Sequence, residues 1–560
     1  MKNLVADLHV HSGLKGFANE PYPEENQGRT IWDFYPRKQN ALKELNFPIQ
    51  GAIKEIAKDS QAHLNGCKEG NLTLLFINIC PVERQMFALE PRPPFKRLLR
   101  IILPEKKYAF LGAAVSGIPK ARVQSILERN VFEDNNDGIN YYEQYKLELD
   151  YLLRQTEKPS TKYSGFRFDI ARNYVELQRL IGKGNRIAGI LAVEGAHSFG
   201  HYKYHSTLSK TYKELSEAER EHLRNSMLQN LKEVKGGKYS PFFVTFCHHF
   251  NNLLAGHARS MSPQSPLLLF LPWPNLPGMR HIFNQEPFLN AGFSELGREV
   301  LTLMLDRAQG RRILVDTKHM SIAARRYYYD FVRKRREEED DPIPIICSHG
   351  AVNGWPSLKE AQRHKEDYKL DNDAFFSRWQ INLTDEDILA IYDSDGILGL
   401  VLHEGRMPGN KFKKMAKKYK KRIDKLAKRD SARAKRKKAE YEEKLKHEYL
   451  QLVWSNIFHI VRLISEARKV EGQPADGWNI IAIGSDYDGI INPFNTYPDV
   501  CCFLDFKKEL CSYLEEGKPV RYAVNGQARY FQPEEVRRLM FGKTPNELVN
   551  AVFYDNVNRF

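Results

Sequence analysis

Eight apolar, β-rich runs recur along the chain, separated by helical or irregular stretches: LVADLHVH (4–11), LTLLFINIC (72–80), RIAGILAVEG (186–195), FFVTFCHH (242–249), RRILVDTKH (311–319), IPIICSH (343–349), GILGLVLHEG (396–405) and NIIAIGSDYDG (479–489). Several are nearly continuous in Val, Ile and Leu, as strands covered on both faces of a parallel sheet require. Between them lie patterns with helical spacing, such as FSELGREVLTLMLDRAQG (293–310) and YLQLVWSNIFHIVRLISEARKV (449–470). Strand followed by helix, eight times over, predicts an α/β chain folded as a (β/α)8 TIM-like barrel with large helical insertions.

The polar residues sharpen this picture. Most runs are apolar through the middle and end in a metal ligand or an acid: His9 and His11, Glu194, His248 and His249, His319, His349, His403 and Glu404, then Asp486 and Asp488. One strand-terminal histidine is ordinarily structural. Seven of eight runs ending this way is a pattern, because the C-terminal ends of all strands in such a barrel meet at one mouth, where active sites are built. Alternate residues of a strand share a face, so His9 and His11 are placed to ligate one ion, and a metal site at the mouth is predicted.

A barrel needs about 250 residues; the 560 present leave room for insertions, and 1–560 is read as one barrel domain. The stretch 81–185 contains a charged helix pattern at 139–155, and 196–240 another at 208–234. Segment 265–278, SPLLLFLPWPNLPG, is apolar and broken by prolines; a hydrophobic lid over the pocket and an ordinary buried loop are equal readings. The net charge of +15 is concentrated in one place: between Lys411 and Lys438, 16 Lys and Arg stand against Asp424 and Asp430, leaving +14 in 28 residues. This marks 406–448 as a highly basic helical insertion, expected to form a long exposed helix. It is either a solvated face or a contact for polyanions or a membrane surface. No apolar run reaches membrane-spanning length and no export signal opens the chain. The seven cysteines form no Cys-x-x-Cys pair, so reduced thiols and a cytoplasmic location are expected.

DLHVHS, ILAVEGAHSF, VTFCHHFNN, ELGREVLTLMLDRAQGRRILVDTKHMS, IICSHGAVNG, IAIGSDYDG and the closing FYDNVNRF resemble, in order and over nearly the whole chain, the membrane (renal) dipeptidase family of metal-dependent amidohydrolases. The resemblance implies a zinc-dependent hydrolase that cleaves an amide or peptide bond in a small, dipeptide-like substrate. It implies two divalent metal ions, zinc by ligand type with manganese or iron also compatible. His9 and His11 would hold one ion, His319 and His349 the other, and Glu194 would bridge them. A shared hydroxide would attack, Asp486 would move its proton to the leaving amine, and His248 would bind and polarise the scissile carbonyl.

Two departures bear on substrate. The family has His-x-Asp where this chain has His-x-His. Its carboxylate-binding arginine aligns with Ile381, and Arg378 lies three residues earlier as a substitute substrate ligand. His403 and Glu404 either contact substrate at the mouth or launch the loop into the basic insertion. Asp488 either supports Asp486 or caps the following loop, and His197 and His249 are structural or supporting residues. A phosphoesterase of the polymerase-and-histidinol-phosphatase type also opens like DLHVHS, but finishes with Asp-x-His where this chain has Asp486-Tyr487-Asp488. The third reading is an inactive barrel that binds polyanions through its basic helix.

Overall fold

The computed structural model describes residues 3–21, 27–36, 59–86, 113, 117–127, 138–203, 205–261, 285–308, 310–364, 375–429, 431–524 and 527–560. The apolar segment 265–278 therefore lies outside the described residues. Among the described residues, eight strands follow one another around a single parallel sheet: β1 (Val5–Val10), β2 (Leu72–Ile79), β3 (Arg186–Glu194), β4 (Phe243–Thr245), β5 (Leu314–Asp316), β6 (Ile346–Gly350), β7 (Ile397–Leu400) and β8 (Ile481–Ile483). Each pairs in parallel with the next. β8 returns to β1 through the Val10–Tyr487 bridge and the bonds His11 N–H to Tyr487 O and Asp486 N–H to His9 O, both 2.9 Å. The barrel is thus nearly closed, as the eightfold alternation predicts.

Every residue of β1, β4, β5, β6, β7 and β8 is buried, which explains their continuous apolar character. Several strands are shorter than the apolar runs that contain them. The chain bends away after Thr245, Asp316 and Ile483, so that His248, His319 and Asp486 stand in loops beyond the strand tips. A strand of four residues, Arg167–Ile170, has no counterpart among the eight runs. It pairs with the N-terminal half of β3 (Arg167 with Arg186, Ile170 with Gly189), while β4 takes the C-terminal half of the same edge (Ala192 with Phe243, Glu194 with Thr245).

The helices differ from expectation where caps restart the chain. The pattern at 208–234 is not one helix: short 3-10 turns precede α1 (Glu217–Gly236), because Thr211 with Glu214 and Ser216 with Glu219 form two successive capping boxes. The basic stretch is likewise two helices, α2 (Asn410–Ala427) and α3 (Ala432–Ala467). Ser431 caps α3 by accepting from Ala434 N–H, and the second half of the charge run merges with the apolar pattern 449–470 into one helix of 36 residues. α2 is not wholly exposed either. Phe412 and Ala416 are buried, Met415, Tyr419 and Ile423 pack against the core, and the Phe412 ring lies 5.2 Å from that of Tyr449 on α3. Beyond Tyr449, α3 buries Val453, Trp454, Ile457, Phe458, Val461 and Ile464.

A candidate metal centre at the barrel mouth

Four histidines surround one carboxylate. Glu194, the last residue of β3, has Oε2 3.1 Å from His11 Nε2, and Oε1 3.5 Å from His9 Nε2, 3.5 Å from His319 Nε2 and 3.6 Å from His349 Nε2. His9 and His11 Nε2 are 3.2 Å apart. Metal–nitrogen bonds of 2.0–2.1 Å in a tetrahedral site place ligand atoms about 3.3 Å from one another, which is the spacing seen. His9/His11/Glu194 and Glu194/His319/His349 are two buried groups with ligand atoms within 4.8 Å, and they share Glu194. The donor set, imidazoles with a carboxylate, suits a divalent cation such as zinc.

Local backbone explains how the side chains reach the centre. Gly195 has φ +95°, and a Cβ there would come within 2.2 Å of the His197 ring; only glycine lets the chain turn directly after Glu194. His319 (φ 65°) and Asp486 (φ 62°) are both left-handed. Strained residues of this kind persist where surrounding structure holds them, commonly at functional sites.

Support comes from a serine that carries no signal in the sequence. Ser348 Oγ donates to Asp316 Oδ2 (2.6 Å) and lies 2.9 Å from Nδ1 of both His9 and His349. A hydroxyl has one proton to give. With that O–H directed at Asp316, Ser348 Oγ can only accept from the rings, so both donate Nδ1–H to it and both Nε2 lone pairs face the centre. Asp316 also accepts from Thr245 Oγ1 and from the backbone N–H of Lys318 and Ser348, so its oxygens are occupied although it lies within ligand distance of His9 and His349. Burial pulls the His9 and His349 rings down, His349 strongly, which keeps them neutral as ligands must be. His11 and His319 have no hydrogen-bond partner at Nδ1. Glu194 would be raised by burial, but the histidines, His248 and His9 foremost, hold it well below the usual carboxylate range.

His248 lies on the other oxygen, Nε2 to Glu194 Oε2 at 3.5 Å, with Nδ1 2.7 Å from Glu83 Oε2. Burial alone would lower this imidazole, but Glu194 and Glu83 raise it to about 9, and His248 in turn holds the buried Glu83 at about 2. Glu83 also accepts from the N–H groups of His249 and Phe250, fixing the turn that carries His248. Asp486 Oδ1 is 3.7 Å from His11 Nε2 and 3.8 Å from His9 Nε2, and Oδ2 is 3.9 Å from His349 Nε2. Burial first, then the Glu194 charge, push its carboxyl up. Cys80 lies by Glu194 and His248, but burial lifts its thiol well above the usual range, leaving a poor ligand. All seven cysteines are free.

Other residues named from the sequence lie differently. Arg378 stacks its guanidinium 3.4 Å over the Trp355 ring, and Ile381 is buried with Ala258 and Trp379. Glu404 accepts from Lys420 Nζ (2.6 and 2.7 Å), Asn492 Nδ2 (3.0 Å), the Asn495 N–H (3.3 Å) and the Tyr449 hydroxyl. His403 is half-buried and bridges to Pro493. Asp488 accepts from the N–H groups of Gln61 and Ala62 and pairs with Lys15 at 2.9 Å, so it anchors the loop before β2. The His197 ring is held by the Pro81 carbonyl, and His249 packs 4.8 Å from the His319 ring. The buried Lys318 directly precedes His319 and was not expected at the site. Lys318 is 2% exposed, and burial lowers its ammonium to about 8. A lysine closing an apolar run directly before His319 is the signal that could have found it.

The fold and this cluster define an eight-stranded parallel barrel with a candidate metal centre at its mouth. No protein-family profile matches the chain, and no curated protein does. Among solved structures the chain is similar to a metallopeptidase from Rhodobacter sphaeroides liganded with a phosphinate mimic of the dipeptide L-Ala-D-Ala (13% identity, TM-score 0.44, 99% of this chain and 97% of that one). It is also similar to dipeptidase AC, a metallopeptidase of family M19 (12%, 0.44, 99% and 97%), and to the probable dipeptidase PvdM from Pseudomonas aeruginosa (14%, 0.43, 93% and 98%). No helix among the described residues is long and apolar enough to cross a membrane.

Proposed function

We propose that this protein is a metal-dependent amidohydrolase of dipeptidase type, cleaving an amide bond in a small substrate with two divalent ions at the barrel mouth. The observation that carries the reading is the convergence of His9, His11, His319 and His349 on the two oxygens of Glu194. His9 and His11 would hold one ion and His319 and His349 the other, with Glu194 in reach of both pairs. Bound there, the ions supply Lewis acidity and a water acidified towards neutrality. Asp486, within 3.7–3.9 Å of three ligand histidines, takes up the proton released on attack and returns it to the leaving amine. His248, protonated and fixed by Glu83, donates Nε2–H to the scissile carbonyl oxygen as negative charge develops there. Water exclusion by the buried surroundings strengthens each of these contacts.

Metal analysis of the purified chain, followed by a screen of dipeptides, N-acylated amino acids and phosphoesters before and after chelation, tests this. Chelator-sensitive amide hydrolysis is expected. Turnover of phosphoesters alone would transfer the site to the phosphoesterase reading.

A further inference from the structure

The basic hairpin carries a surface that the metal centre does not use. At the turn of an α-helix, Lys411, Lys414, Lys418, Lys421, Lys425 and Lys428 fall on one arc of α2 about 100° wide, Lys428 at the C-cap. Phe412, Met415, Ala416, Tyr419 and Ile423 lie on the opposite side, packed against the core. All six lysines are exposed, and among the described residues none of them has an ion-pair partner. The acids that follow on α3 are engaged there: Glu440 by Lys444 (2.6 Å), Glu442 by Lys438 (2.8 Å) and Glu443 by Lys446 (3.0 Å).

The helical rise spreads the six charges over about 25 Å, at intervals of about 5 Å. A compact anion meets one or two of them; only a polyanion of that length meets all. The composition of the face selects among polyanions. The apolar stripe of α2 is already covered, so no apolar side is left to enter a bilayer, as a helix lying in a membrane surface requires. The exposed residues of α2 are Lys and Arg with Asp424 and Ala427. They include no aromatic or large apolar anchor of the kind a protein partner buries or on which unpaired bases stack. Tyr419 is turned to Tyr441 across the hairpin, ring centroids 5.9 Å apart. A duplex needs neither anchor: it presents one charge about every 1.7 Å along its axis, and basic side chains hold its backbone.

We infer that the Lys411 to Lys428 face of α2 binds double-stranded nucleic acid along its phosphate backbone, without regard to base sequence. None of the residues of the metal centre lies on α2, so this surface and the hydrolase reading stand or fall separately.

Fluorescence anisotropy of a labelled, mixed-sequence DNA duplex of about 20 base pairs, longer than the face, is titrated with the full-length chain. Affinity is expected to fall about 10³-fold between about 50 and 200 mM salt, as about six phosphate contacts require. Replacing the six lysines by Gln is expected to weaken binding about 100-fold or more, with metal content and urea midpoint unchanged. The control replaces six exposed lysines scattered over the barrel, Lys183, Lys213, Lys232, Lys334, Lys359 and Lys508, and is expected to change affinity less than about 5-fold. Should the sixfold α2 variant not fold, Lys421→Gln combined with Lys425→Gln must reduce the salt slope by about two. No duplex binding at about 50 mM salt, or equal loss in the two sixfold variants, overturns the surface. A duplex RNA is expected to bind within about 10-fold of the DNA, and a larger preference overturns contact through phosphate alone. Tighter binding of the single strand overturns the duplex assignment. Binding to vesicles of phosphatidylserine and phosphatidylcholine without binding to the duplex overturns it in favour of an anionic membrane.

Discussion

Glu194 and Glu404 look alike in the sequence: each closes an apolar run and each is followed by glycine, although Glu194 is the last residue of β3 and Glu404 lies in the loop beyond β7. Their surroundings make them opposites. Glu404 meets an ammonium, a phenol, an amide and a backbone N–H, all groups that bring their own protons, so its demand for donors is met within the chain. Glu194 meets imidazole nitrogens, and at least those of His9 and His349 turn lone pairs towards it. A carboxylate facing lone pairs is the better candidate for a cation; one facing N–H and O–H groups has the surroundings of a fastener. Position at a strand end selects candidates, and the proton inventory of the neighbours decides the role.

The largest effect tests the reactive half of the comparison. Asp486→Asn is expected to lower turnover on the best amide substrate by about 10³-fold while metal content stays unchanged, since it removes proton transfer rather than ligation. Metal loss equal to that in a ligand variant would show Asp486 to be a ligand instead. Glu404→Ala tests the fastener. It strands Lys420 and Tyr449 between α2, α3 and the mouth, with a loss of about 2–4 kcal/mol in urea unfolding and metal retained; loss of metal would erase the distinction between the two glutamates. Ser348→Ala removes the shared acceptor of the His9 and His349 Nδ1 protons and is expected to weaken metal binding about 10- to 100-fold in chelator competition.

A pH effect follows from His248 and Glu83. In the metal-free protein the His248 ring is raised from 6.5 to about 9, so its stabilising contribution is complete below pH 6.5 and fades as pH rises through 9. Glu83 is lowered from 4.5 to about 2, so its contribution is complete above pH 4.5 and is lost as pH falls towards 2. Imidazole NMR titration and urea midpoints read both limbs, and Glu83→Gln is expected to bring the His248 titration down and flatten the alkaline limb. The smallest effect is on the exposed basic face: Lys417, Lys421, Lys425 and Lys428 are exposed on or just beyond α2, and their replacement by Gln is expected to alter stability by no more than about 0.5 kcal/mol with metal content constant. Removing the whole stretch from Lys411 to Lys438 is a different matter, because it takes Phe412, Ala416 and Lys420 out of the packing between α2, α3 and Glu404.

Much of the barrel and of its candidate metal centre is legible in the amino-acid sequence. A strand buried on both faces must be apolar, so the eight runs stand out, and polar residues at their ends stand out against them. What stays hidden depends on register and on distance along the chain. Ser348 supports the centre only because β5 and β6 lie side by side and bring Asp316 to it. Glu83 reaches His248 from a loop far earlier in the chain, and accepts from the N–H of His249, 166 residues away. The four-residue strand at Arg167–Ile170 is too short and too polar to show a period. The break between α2 and α3 is readable, since a serine after a charged run is an N-cap signal. The burial of α2 is not, because its thin apolar stripe takes meaning only from Tyr449 across the hairpin.

The most direct measurement is metal stoichiometry of the full-length chain by inductively coupled plasma mass spectrometry, made on the natural sequence, on Glu194→Gln and on Glu404→Gln side by side. The account predicts about two divalent ions per chain, both strongly depleted in Glu194→Gln and both retained in Glu404→Gln. Two ions retained in Glu194→Gln, or none bound by the natural chain under conditions of metal excess, would contradict it.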